Sequence, residues 1–124
     1  MEREQIDPEF KAIWVAALRS GEYRQGRGAL RNDPSDHPTE YCCLGVACDL
    51  AINFYGQGHW DGDIFFFDPE DHAGSAGLLP SSLARLMGFS HQNPRLGDET
   101  RTLTGLNDAG ASFNYIADII ETEF

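Results

Sequence analysis

The chain has 124 residues, the length of one domain built around a single core, which argues against two independent domains. Twenty Asp and Glu against nine Lys and Arg give a formal net charge of −11, a field that repels other polyanions and weighs against DNA polymers, RNA polymers and acidic membranes as partners. Hydrophobic residues at 41% and aromatic residues at 11% are enough for a packed core, so wholesale disorder is disfavoured as well.

The first predicted element is a helix. Asp7 can cap it, Pro8 suits its first position, Glu9 complements its dipole, and Phe10, Ile13, Trp14, Ala17 and Leu18 recur at helical spacing before Gly21 ends it. From Glu22 to Arg31 the chain is punctuated by glycine and reads as a short strand or extended loop. Asn32 to Thr39 is dense in turn formers and should be an exposed connection. Residues 41–53 are nearly all apolar, with Cys43, Val46, Ala47, Leu50 and Ala51 on one helical face and Asp49 as the single charge. That pattern predicts a central, mostly buried helix, whose small residues Gly45, Ala47 and Cys48 would let another element approach closely.

His59-Trp60 and Ile64 to Phe67 read as two short strands around an Asp61-Gly62 turn, followed by a loop from Asp68 to Gly77. Leu79-Pro80-Ser81-Ser82 opens a short third helix with Leu83, Leu86 and Met87 inward and Gly88 as its stop. Ser90 to Thr100 is irregular. Leu103 and Leu106 lead into Asn107-Asp108-Ala109-Gly110, and Ser112 can cap a last helix with Phe113, Ile116, Ala117 and Ile120 on one face and Phe124 continuing the stripe. The predicted architecture is α+β: a single compact domain over residues 1–124, with about four helices and short β-hairpins.

Cys42, Cys43 and Cys48 lie within seven residues and have no partner elsewhere in the chain, the opposite of a disulfide framework, which favours a reducing compartment. The segment Met1-Glu2-Arg3-Glu4-Gln5 has neither the apolar run nor the positive patch of a signal peptide, and no apolar run reaches the length of a membrane span. His37, His59, His72 and His91 stand singly, without the spacing of a metal site, so neither a metal nor a cofactor is expected. Cys42 or Cys43 near a helix N-terminus would have the location of an activated thiol, but small core hydrophobes are the plainer reading of all three. Asp61 and Asp63 could form a carboxylate pair, although an Asp-x-Asp across a turn is commonly turn chemistry.

The charge is unevenly spread. Arg19 to Arg31 holds four arginines against one acid, Glu22, a balance of +3 that leaves −14 for the rest of the chain. Eight of the nine cations are Arg, the residue suited to forked recognition of oxyanions. The sequence therefore points to capture of one small phosphorylated nucleotide-type anion without catalysis. Arg19, Arg24 and Arg27 would pair phosphates, Ser20 lies beside them, Tyr23 or Trp60 would stack on a base, and Gln25, Asn107 and Asp108 would bond base or ribose edges. The plainer alternatives are a solvated edge balancing an acidic surface and, for Asn107, Asp108 and Ser112, capping of the final helix. An oligomer is compatible, since pockets in small proteins often form between subunits. A helix-turn-helix around Leu103 to Ile120 would present Asp118, Glu121 and Glu123, and no Lys or Arg, to DNA phosphates.

Three blocks, Trp14 to Gly21 with Tyr23 and Gln25, Cys42-Cys43-Leu44-Gly45-Val46 with Cys48, and Leu106-Asn107-Asp108 with Gly110, Ser112-Phe113 and Ile116-Ala117-Asp118, together resemble a family of small, acidic, mostly uncharacterised proteins encoded by bacteriophages. The likeness covers nearly the whole chain and is loosest from Phe54 to Gly77. It implies action in the cytoplasm of an infected bacterial host as a counter-defence factor, either sequestering a nucleotide immune signal or binding a host defence protein. Two other readings compete: an acidic protein–protein inhibitor that imitates nucleic acid, and a small hydrolase using a cysteine or the Asp61/Asp63 pair.

Overall fold

A computed structural model of the protein describes residues 5–34, 36–68, 74–96 and 101–124. Helix α1 (Pro8–Ser20) begins where Asp7 accepts hydrogen bonds from the Glu9 and Phe10 N–H groups, and it stops at Gly21, whose φ of 78° places it in the left-handed region. Phe10, Trp14, Val15 and Leu18 are its buried residues, whereas Ile13 is 41% exposed. The predicted stripe is therefore rotated. α1 packs against both α2 (Cys43–Phe54) and α5 (Phe113–Glu123), so its buried arc turns toward Val15 and leaves Ile13 at the edge.

Helix α2 is the central element, and Cys43 to Cys48 are all buried along it. The close approach expected of its small residues is real at Gly45, where an added Cβ would collide with the backbone carbonyl of Leu30. That carbonyl also accepts the Cys42 N–H, so the strand region before α2 is clamped onto the helix N-terminus. On the other side, the buried Trp14 indole donates to the Cys43 carbonyl at 3.0 Å.

Two small sheets flank the helices. Strands β1 (Arg24–Gln25), β2 (Arg31–Asn32) and β3 (Glu40–Tyr41) form one in the order β1-β3-β2, with β1 parallel and β2 antiparallel to β3. Strands β4 (His59–Asp61) and β5 (Ile64–Phe66) form a hairpin about Gly62, which has a φ of 60°. Arg31 belongs to a strand and Asn32 extends it, so the predicted turn segment starts one residue later than expected.

Helix α3 (Ser81–Met87) ends at Gly88 as predicted, but it buries Leu83, Ala84 and Met87 and leaves Leu86 half exposed. The chain then makes one helix more than the sequence pattern indicated: α4 (Leu103–Asp108), capped by the Thr102 hydroxyl. Ser112 caps α5 by accepting the Tyr115 N–H, and Phe113, Ile116, Ala117, Ile120 and Phe124 are buried as the stripe predicted. The described residues thus form five helices and two short sheets around one hydrophobic cluster, an α+β fold. The predictions that fall on residues 1–4, 35, 69–73 and 97–100, His72 among them, lie outside the described residues.

Candidate functional site

The arginine segment begins where α1 stops. Ser20 is occupied by that stop: its hydroxyl donates to the Ala17 carbonyl and accepts the Glu22 N–H. Arg19 points away from the segment toward α5, where its guanidinium forms ion pairs with Asp118 and Glu121. The hydrogen bonds to Glu121 and Asp118 hold the Arg19 guanidinium charged well beyond its ordinary range, and Arg19 in turn pulls the Glu121 carboxyl down. Arg24 sits on exposed β1 and makes no ion pair among the described residues. Arg27, also exposed, reaches toward Gly110 in the turn between α4 and α5. Three guanidinium groups expected to pair the phosphates of one ligand therefore attend three different places.

Gln25, Asn107 and Asp108 do come together, around a buried Asn107 with Gln25 half-buried and Asp108 exposed. Asn107 is fully buried. Its Oδ1 accepts from Gln25 Nε2 at 2.9 Å and from the Cys43 N–H at 3.2 Å, while its Nδ2 donates to the Gly26 carbonyl at 2.8 Å and to Asp108 Oδ1 at 3.3 Å. Gln25 also donates to the Ala111 carbonyl, and Asp108 accepts the Gly28 N–H. The Cys43 N–H is one of the donors that a helix N-terminus leaves without an intrahelical partner, so Asn107 completes α2 and ties β1 to α4 in one step. These residues hold the arginine segment against the core, and they are not among those that line the cleft beside Arg24.

The cleft lies on the other side of β1. It is open, encloses about 660 Å³, and is lined by Glu22, Tyr23, Arg24, Thr39, Tyr41 and Asp49, with Gly21 and Pro38 at its border. At its floor the Asp49 carboxylate accepts the Tyr23 hydroxyl at 2.6 Å and the Trp60 indole N–H at 3.1 Å, one on each oxygen. The Tyr41 ring stands edge-on to Tyr23, centroids 5.0 Å apart, and to Trp60 at 6.1 Å. Burial first, then the hydrogen bond to Asp49, pushes the Tyr23 hydroxyl far above its ordinary range, and burial followed by the Asp49 charge pushes Tyr41 the same way.

Trp60 itself is not a free platform. The Arg31 guanidinium lies over its ring, 4.6 Å from the centroid, and Phe65 packs against it at 4.9 Å. Arg31 also donates to the Gly62 carbonyl, and the Asp33 N–H donates to Asp63, so the hairpin is latched onto β2. Trp60 acts by orienting Asp49. The Asp61/Asp63 candidate pair is accounted for by this turn and latch, since Asp63 takes the Asp33 N–H.

Cys42, Cys43 and Cys48 are buried, and burial pushes all three thiols up, the two innermost furthest. Cys42 and Cys43 serve the fold: the Cys42 sulfur accepts the Gly45 N–H and the Cys43 thiol donates to the Leu103 carbonyl. No group of three or more His, Cys, Asp or Glu that could hold a metal is present among the described residues. No helix there is long and apolar enough to cross a membrane.

The sequence pattern gave Thr39, Tyr41 and Asp49 no role in a site. The visible signal was Asp49 itself, a lone charge in an apolar helix, which needs a reason to be there. Taken together, these features define a small α+β protein with an open cleft walled by tyrosine and floored by a carboxylate. Residues 6–124 match the model of a domain of unknown function, DUF8296, and the chain belongs to that family. Comparison with curated proteins and with solved structures gives no match.

Proposed function

We propose that this is a binding protein that sequesters a small phosphorylated nucleotide-type signal without cleaving it, acting as a phage-encoded counter-defence factor in the cytoplasm of the infected bacterial host. One observation carries the reading: Arg24, which makes no ion pair among the described residues, two tyrosine rings and a carboxylate held by two hydrogen bonds meet in an open cleft of about 660 Å³, within the size range of small-ligand sites. Arg24 supplies the forked donor for a phosphate and the tyrosines supply apolar faces for a base. The phosphate-binding role moves from Arg19 and Arg27 to Arg24 alone. Calorimetric titration with a panel of nucleoside monophosphates, cyclic di- and trinucleotides and cyclic ADP-ribose isomers tests it, with chromatography to establish that the ligand is recovered unchanged. Absence of binding by a folded protein overturns it.

Neutralisation of Arg19 by two carboxylates favours a second reading, an acidic inhibitor of a basic host defence protein, because it removes one cation from the only basic segment. A stoichiometric basic partner released by high salt, with no nucleotide bound, would support that reading instead.

A further inference from the structure

We infer that the cleft is selective for guanine-bearing nucleotides, with the base's paired N–H donors on the Asp49 carboxylate and its phosphate on Arg24; this rests on the nucleotide-binding reading above. A carboxylate has about four lone-pair positions. In this cleft two are taken, one on Oδ2 by the Tyr23 hydroxyl and one on Oδ1 by the Trp60 indole N–H. Each oxygen therefore keeps one acceptor position, and the two donors already in place fix the plane of the group. What remains, among the described residues, is one acceptor position on each oxygen of a carboxylate that lines the cleft together with the tyrosine rings.

The complement of two side-by-side acceptors is two side-by-side N–H donors on a flat ring. Guanine presents that edge through N1–H and the 2-amino group. Hypoxanthine keeps only N1–H. Adenine puts an unprotonated ring nitrogen against the carboxylate, and uracil flanks its single N–H with two carbonyl oxygens, which Asp49 repels. An arginine side chain has the same donor pair but carries no anionic group for the Arg24 guanidinium, which a ligand ending in phosphate supplies. The acids Glu22 and Asp49 also set the ligand's direction, since its phosphate is excluded from their neighbourhood and drawn to Arg24.

The test is calorimetric titration of the full chain with guanosine, inosine, adenosine and uridine 5′-monophosphates and with an arginine-containing tripeptide. Guanosine monophosphate should bind about 10- to 100-fold more tightly than inosine monophosphate, the effect of one hydrogen bond to a charged group, and more tightly again than the other two nucleotides. Asp49→Asn keeps the size of the side chain and one acceptor, and it should remove most of that preference. Tyr23→Phe, which leaves the carboxylate in place, should retain the preference with weaker overall binding, and thermal melts of both variants establish that they are folded. Equal binding of all four nucleotides overturns the selectivity while leaving the nucleotide reading standing. Binding of the tripeptide alone, like absence of all binding, overturns both.

Discussion

Removing the Asn107 side chain should destabilise the protein more than any other single polar substitution among the described residues. Asn107→Ala deletes four hydrogen bonds at a fully buried position and leaves the Cys43 N–H and the Gly26 carbonyl without the partner each has in the native fold. A buried backbone group left unsatisfied costs about 1–3 kcal/mol, so the two together give a loss of about 2–6 kcal/mol, a large part of the stability of a typical domain. Gln25 retains its bond to the Ala111 carbonyl and adds little to the loss. For a chain of this size about 3 kcal/mol corresponds to a fall in Tm of about 10 °C. Urea titration followed by far-UV circular dichroism should show the midpoint falling with an unchanged slope. Asn107→Asp sharpens the test, because it keeps the acceptor for Cys43 but turns a carboxylate oxygen toward the Gly26 carbonyl. Its cost should be at least as large at neutral pH and should shrink as acidification protonates the new carboxyl and restores a donor. A loss below about 1 kcal/mol for Asn107→Ala would refute the view that this residue completes the N-terminus of α2.

Other substitutions separate packing from binding. Gly45→Ala forces a methyl group into the Leu30 carbonyl and should cost at least the 1–3 kcal/mol typical of overpacking, read as a lower denaturation midpoint. Arg19→Gln should leave nucleotide affinity unchanged while Arg24→Gln weakens it about 10- to 100-fold, as measured by calorimetry. Glu121 is held below its ordinary range by Arg19, so the stabilisation from that pair is present above the ordinary carboxyl range and is lost as pH falls through the depressed value. Arg19→Gln should accordingly raise the pH at which Glu121 protonates, followed by NMR of its side-chain carbonyl. Asp49→Asn should bring the Tyr23 hydroxyl down toward its ordinary value, since the Asp49 carboxylate is one of the causes that raise it, and an alkaline absorbance titration would register the change.

Much of the fold was legible in the sequence because its signals are local. Asp7, Gly21, Gly88 and Ser112 each act within three or four residues of where they stand, and the apolar stripe of α5 needs only its own helix to be read. Ile13 and Leu86 misled because periodicity identifies an apolar arc without saying where neighbouring helices centre it. Helix α4 escaped notice for its shortness: six residues with a glycine inside carry little pattern. The site was less legible, since its geometry depends on distant pairings. Tyr23 meets Asp49 across 26 positions of sequence, and Arg19 is captured by α5 from 99 and 102 positions away. Charge counting along the chain located the arginines correctly but could not see the carboxylates that fold onto one of them.

The central claim, that the Tyr23, Tyr41 and Asp49 cleft takes the ligand, is tested most directly by the indole N–H region of the proton–nitrogen NMR spectrum during titration with guanosine monophosphate. The chain has two tryptophans. The Trp60 indole donates to Asp49 at the cleft floor, while the buried Trp14 indole donates to the Cys43 carbonyl inside the core. Binding in the cleft predicts that the Trp60 signal moves progressively and saturates while the Trp14 signal stays in place. A titration in which neither indole signal moves, although calorimetry reports binding, would contradict the account by placing the ligand elsewhere.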